Sequence, residues 1–228
     1  MQPYFLPYIG YFQLMAAVDK FVVYDDVNFI KGGWINRNRI LLNGREHLFT
    51  VPLAGASPNR LINQIKIAPG TGWKRKLTST IEQAYRPAPH FEQIFPLLTG
   101  IINHAEQGLS NYVVHALEKV CGYLDITTTI APNSAIYYNS ELQGEARVLD
   151  ICRQEKADIY INAPGGRALY NPQHFRQQNV ELRFLESAPI EYQQLGPDFY
   201  PSLSIIDVLM FNSREEARKL VGQIALRP

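Results

Sequence analysis

The chain has 228 residues, 46% of them hydrophobic, with 22 basic against 21 acidic residues and a formal net charge of +1. This length suits one large domain or two small ones, and the balanced charge excludes a global field that recruits nucleic acid or an anionic membrane, so an anionic ligand must be met locally. The start lacks a basic region followed by an apolar one, and no window reaches the roughly 18 apolar residues of a bilayer span, so a soluble, cytoplasmic protein is expected.

The first twelve residues hold Pro3, Pro7 and Gly10 among Tyr4, Phe5, Tyr8, Tyr11 and Phe12 before any charged side chain. Prolines stiffen this backbone and the glycine frees it beside bulky rings. The segment reads as a rigid loop that shapes a pocket or as an aromatic plug capping the core. Ile9 to Val18 reads as a helix, Phe21 to Tyr24 as a strand, and Asp25-Asp26 as an acidic turn. Two strands, Ile35 to Leu42 and His47 to Pro52, flank Asn43-Gly44, the strongest hairpin signal in the chain. Leu61 to Ile67 alternates and predicts another strand.

From Trp73 to about Tyr123 the pattern is helical, with breaks near Arg86 to His90 and at Gln107-Gly108, which predicts three helices. A strand at Thr127 to Ile130, a helix at Glu145 to Lys156 and a strand at Asp158 to Ile161 follow. The loop Asn162-Ala-Pro-Gly-Gly166, a short helix near Pro172 to Gln178 and a strand at Val180 to Leu185 complete an order that favours parallel pairs. Ser202 to Asn212 reads as a capped helix, and Ser213 with Glu216 begins the last one. The expected fold is a single α/β domain over 1–228 with a helical insertion at about 73–124. Cys121 and Cys152 lie in apolar helical contexts without metal-type spacing and read as buried free thiols.

Three segments carry candidate chemistry. The richest runs from Tyr24 to Ile40. Asp25 and Asp26 follow a strand end, where ligands of open α/β sheets bind, and are the candidate catalytic carboxylates, as general base, Mg²⁺ ligand or amine anchor, unless they are merely turn or cap acids. Adjacent strand residues face opposite ways, and Asp25, which ends the apolar run, is preferred. Lys31, Trp34, Asn36, Arg37, Asn38 and Arg39 are substrate-binding candidates, because arginine forks bind phosphate or carboxylate bidentately. In the second segment Asn162, Gly165, Gly166 and Tyr170 form either an anion site or an ordinary strand-to-helix turn. In the third, Ser204 and Asp207 are binding candidates or a helix-capping pair. Gln2, Tyr4, Tyr8, Gly10 and Tyr11 join the list from the N-terminal loop. No Walker or GxGxxG pattern occurs, and the five histidines show no metal-ligand spacing, so no metal site is expected.

Gln2 to Phe12, Phe21-Val-Val-Tyr-Asp-Asp-Val27, Trp34 to Ile40, Tyr160 to Gly166 and Leu203 to Asn212 together, in this order, resemble the WbqC-like protein family over nearly the whole chain. The resemblance implies a transferase of surface-polysaccharide (O-antigen) biosynthesis, with glycine or another aminoacyl group moved to a nucleotide-linked amino sugar. Asp25 would accept the amine proton, the arginines would hold phosphate or carboxylate, and the tyrosines would line the sugar or base pocket. Members carry a short apolar strand before Gln-Pro-Tyr, whereas Met1 precedes it here. Either the chain begins late or its sheet lacks that strand. The opening is also similar to Rossmann-like HxGH nucleotidyltransferases and pantothenate synthetases, with Tyr8 and Tyr11 at the positions of the two histidines. That likeness implies nucleotidyl transfer or ATP-dependent carboxylate activation, with ATP and Mg²⁺, as the alternative. A non-catalytic scaffold of polysaccharide assembly is a third. A small-molecule partner is expected and no nucleic acid; the oligomeric state is open.

Overall fold

In the computed structural model, which describes residues 1–227, the chain enters helix α1 (Ile9–Ala16) from an extended Tyr8. Gly10 to Met15 are all buried, so this helix lies inside the molecule rather than along a surface. Strand β1 (Lys20–Val22) follows. Met1 runs beside its end, its amino group donating to Val22 O (2.9 Å) and its carbonyl accepting from the Tyr24 N–H (2.8 Å).

Strands β2 (Arg37–Leu42) and β3 (Arg45–Thr50) form the expected hairpin, in register from Arg37 opposite Thr50 to Leu42 opposite Arg45. Asn43 (φ 52°) and Gly44 (φ 72°) are both left-handed, as a two-residue turn matching the strand twist requires. The strand expected over Leu61 to Ile67 is mostly something else. Ile62–Gln64 is a 3-10 turn, and only β5 (Lys66–Ile67) is extended, paired antiparallel with an unforeseen β4 (Leu53–Ala54). Ile62 and Ile65 are both fully buried. A three-residue turn puts positions i and i+3 on one side, which strand alternation cannot do.

The expected helical stretch forms α2 (Gly72–Tyr85), α3 (Phe91–Asn103) and α4 (Leu109–Tyr123). Glu106 accepts the N–H groups of Gln107 (2.7 Å) and Gly108 (2.6 Å) where α4 begins, and these bonds draw its carboxyl below the usual range. Strand β6 (Thr129–Ala131) then returns parallel to β1. Helix α5 (Gly144–Glu155) leads to β7 (Ile159–Asn162), a 3-10 segment at Pro164–Leu169, α6 (Pro172–Gln177) and β8 (Glu181–Ser187), which is parallel to β7. Helices α7 (Ile205–Phe211) and α8 (Arg214–Gly222) follow, and α8 starts with the Ser213/Glu216 capping box. The unforeseen β9 (Ile224–Arg227) adds antiparallel to β8.

The architecture is mixed α/β. Among the described residues the strands pair into small sheets, β1–β6, β2–β3, β4–β5 and β7–β8–β9, where one open sheet was expected. The strands are two to seven residues long, and Asp25 and Asp26 turn away from the ladder to polar partners. One large hydrophobic cluster extends from Phe5 through α2–α4 to Val221, and a smaller one gathers Cys152, Phe175, Val180, Leu182 and Phe184. Both cysteines are free and buried, and burial pushes their thiols up, to about 12 for Cys121 and about 11 for Cys152. No helix among the described residues is long and apolar enough to cross a membrane.

Candidate functional site

The N-terminal loop is clamped from two sides. Leu6 sits in the left-handed region (φ 44°), a conformation that costs an ordinary side chain and persists only when its surroundings fix it. Its carbonyl accepts from Asn38 Nδ2 (2.9 Å) on β2 and from Ser204 Oγ (2.7 Å) at the start of α7. Pro7 O accepts from the Ile205 N–H (2.8 Å), and the Phe5 N–H donates to Ile35 O (3.1 Å). Tyr11 Oη donates to Gln2 O (2.8 Å), and the Tyr11 ring packs 5.6 Å from that of Tyr4. Ser204 and Asn38 therefore act as fasteners of the loop's backbone.

The fastened loop walls a cavity of about 270 Å³ lined by Tyr4, Pro7, Tyr8, Trp34, Asn38, Arg39 and Ser202. Gly10 lets the Tyr8 ring lie close: a Cβ there would meet Tyr8 Cε2 at 2.4 Å. Arg37 and Arg39 each hold the guanidinium carbon 5.8 Å from the Trp34 ring centre, within reach of a cation–π contact. Arg37 donates to Gly33 O (3.0 Å) and Gly32 O, while Arg39 pairs with Glu46 at 3.0 Å. Arg39 Nε is buried without a hydrogen-bond partner among the described residues. Burial raises the Tyr4 and Tyr8 phenols, so both stay neutral donors. Asn36 instead ties the hairpin, donating to Val51 O (2.8 Å), and Lys31 stands exposed in the preceding loop. A larger cavity, about 430 Å³, lies at the other end of β1 and β6, around Ala16–Asp19 and Leu124–Thr128. It holds none of the expected residues, and its Arg218 is paired to Asp125 at 3.0 Å.

Asp25 and Asp26 both turn inward. Asp25 is buried, with one oxygen accepting from Ser110 Oγ (2.6 Å) and the other from the Ser134 N–H (3.1 Å). Burial raises its carboxyl against these bonds. At 1% exposure, Asp25 does not open onto the cavity's lining residues. Asp26 accepts from Arg147 and from the Ser134 hydroxyl, and the side chains of Asp26 and Arg147 are only 7% and 4% exposed. Arg147 also donates to Asn139 Oδ1 (3.0 Å) and lies 4.9 Å from the Tyr24 ring centre. Arg147, Ser110 and Ser134 escaped the sequence reading. The available signal was Arg147 itself, one helical turn before Ile151 on the buried face of α5.

The remaining candidates lie apart from the cavity's lining. Asn162 Oδ1 accepts from the Ala163 N–H (2.7 Å), and its Nδ2 lies 2.6 Å from where a Cβ on Gly166 would stand. Gly165 has open space around it. Tyr170 packs edge-on against Tyr160 and Phe175 in the smaller cluster. Ser204 caps α7 through the Ile206 N–H (3.3 Å), but Asp207 is not its capping partner. The Asp207 carboxylate, fully buried, accepts from Tyr85 (2.9 Å), Tyr192 (2.7 Å) and Gln194 (2.8 Å), and burial raises its pKa against those bonds.

Comparison with known proteins sets this arrangement in a family. "Uncharacterized protein Rv1507c" of Mycobacterium tuberculosis (strain ATCC 25618 / H37Rv) is 32% identical over 221 residues, 95% of this chain and 94% of the relative. No solved structure matches. Residues 2–219, which include the clamped loop, both arginines of β2, the two aspartates and α7, match a single family description. The chain belongs to the WbqC-like protein family.

Proposed function

We propose that the protein is a transferase of surface-polysaccharide (O-antigen) biosynthesis that moves an aminoacyl group, glycine for instance, onto a nucleotide-linked amino sugar seated in the N-terminal cavity. The observation that carries this reading is the lining: Tyr4, Tyr8 and Trp34 together with Arg39, whose buried Nε lacks a partner among the described residues. Ring faces pack on a sugar or base, the neutral phenols donate to hydroxyls, and the guanidinium meets a diphosphate through charge-assisted bonds. The parallel β1–β6 pair with Met1 alongside supports a Rossmann-like reading of the sheet. In that reading Tyr8 and Tyr11 occupy the HxGH histidine positions, and Tyr11 is buried on Gln2 O. Neutral phenols lack the charge that stabilises a phosphoryl transition state, which favours acyl over nucleotidyl transfer: the sugar amine takes the aminoacyl group from a donor already activated as a thioester, the thiol leaves with the amine's proton, and ATP and Mg²⁺ belong to the alternative.

The test is calorimetry with a panel of nucleotide-linked amino sugars, followed by mass spectrometry with a glycyl thioester and, for the alternative, with glycine, ATP and Mg²⁺. One sugar should bind, with Trp34→Ala weakening it about tenfold through lost ring contact, and should gain the mass of a glycyl group. Absence of binding to every sugar nucleotide would overturn the proposal. A second reading, a sugar-nucleotide-binding module of an assembly complex without chemistry of its own, is favoured by Asp25 and Asp26, whose oxygens are already engaged. It predicts binding without mass transfer.

A further inference from the structure

The near-neutral total charge conceals a strong asymmetry along the chain. Residues 27–81 hold nine lysines and arginines against one acidic residue, Glu46, a net +8, while the rest holds thirteen against twenty, a net −7. Glu46 is itself taken up by Arg39 at 3.0 Å. Lys31, Arg37 and Arg39 stand in or beside the 30–34 loop, and Arg60 joins its base, where the Phe29 N–H donates to Arg60 O (2.9 Å).

Large apolar side chains are exposed on this same basic part. Ile30 is 53% exposed, Leu48 49%, Trp34 41%, and Tyr8, across the cavity from Trp34, 40%. Leu48 stands directly opposite Arg39 on the outer side of the hairpin. The loop tip is held in shape: the Gly33 N–H closes onto Ile30 O (3.1 Å), Gly32 takes φ 80°, and Arg37 donates to the carbonyls of both glycines. A preformed apolar tip loses little ordering entropy when it docks.

We propose that this face, the 30–34 loop with the outer side of β2–β3, docks on an anionic lipid surface. Cations beside such a surface gain from its negative potential. Tryptophan and tyrosine favour the headgroup level, and lysine stems lie along the apolar boundary with the charge in water. Ile30 and Leu48, the two most exposed apolar side chains of this face, are aliphatic, and an acyl boundary buries them where a nucleic acid would leave them in water, which favours lipid. Trp34 and Arg39 of this face also line the cavity, so docking sets the cavity mouth beside the headgroups. The inference is independent of what the cavity binds.

The experiment uses the whole chain and no sugar nucleotide. Co-sedimentation with vesicles of phosphatidylcholine alone, or with about a third phosphatidylglycerol, should show binding to the anionic vesicles only, weakened by salt. In a Trp73→Phe variant, Trp34 is the one remaining tryptophan, and its emission should shift to the blue on binding. Lys31→Ser should weaken binding about fivefold, and Ile30→Ser with Leu48→Ser should abolish the emission shift. Failure to sediment with anionic vesicles at low salt overturns the proposal. So does unchanged vesicle binding by the Ile30→Ser, Leu48→Ser variant, which reduces it to adsorption by charge, and so does preference for an RNA oligonucleotide over vesicles.

Discussion

Arg147→Ala is expected to destabilise the protein by about 3–5 kcal/mol, the cost of leaving one partner of a buried ion pair alone. The structure supports the upper part of that range. Arg147 donates to the Asp26 carboxylate, lies 3.4 Å from Asp26 O, donates to Asn139 Oδ1 at 3.0 Å, and covers the Tyr24 ring. After the substitution Asp26 keeps the Ser134 hydroxyl but no cation. Set against a total stability of about 5–15 kcal/mol for an ordinary domain, the loss is large, and for a chain of this size the melting temperature falls by about 10 °C. The assay is urea unfolding followed by far-ultraviolet circular dichroism. A double variant, Asp26→Asn with Arg147→Met, removes both charges and should recover most of the loss, to within about 1–2 kcal/mol of the parent, because no uncompensated ion stays buried. An Arg147→Ala cost below about 1 kcal/mol, or a double variant as unstable as the sum of its singles, would refute the reasoning.

Asp207→Ala strands the Tyr85, Tyr192 and Gln194 donors and should cost about 3 kcal/mol or more in the same assay; a loss no larger than that of Tyr192→Phe would count against the three-donor account. Asp25 has its folded pKa raised by burial, so the folded state holds that proton more tightly than the unfolded chain. Its contribution to stability is therefore greatest in acid and is lost as the pH rises through the folded value. Relative to Asp25→Asn, the parent should gain stability as the pH falls from neutrality toward the ordinary carboxylate range, measured by urea unfolding across a pH series; the opposite trend would be decisive against it. Gly10→Ala pushes the Tyr8 ring away. Because that ring is partly exposed and free to swing, sugar-nucleotide affinity should drop about tenfold while the unfolding midpoint barely moves, and a variant with unaltered affinity would separate Tyr8 from the ligand.

The sequence by itself determined the local grammar. Asn43-Gly44 dictated a left-handed two-residue turn and hence the hairpin register. Apolar spacing of three and four dictated α2, α3 and α4, and Ser213 with Glu216 dictated the start of α8. The family was also legible, because five motifs recur in order. The charge asymmetry between 27–81 and the rest was equally written in the residues, although the whole-chain total hid it.

Tertiary structure decided which polar groups meet. Asp25 and Asp26 looked alike as strand-end acids, yet one finds Ser110, 85 residues away, and the other Arg147, 121 residues away. Asp207, three residues after Ser204, suggested a cap until Tyr85, 122 residues distant, took its carboxylate. The cavity itself needs residues 4–8, 34–39 and 202 brought together by the Asn38 and Ser204 clamps on Leu6. Turn dihedrals and helical periodicity are properties of a few consecutive residues and survive in any one-dimensional reading. The partner of a buried carboxylate is chosen by the packed core, because a charge removed from water must find whichever donors the fold brings within about 3 Å.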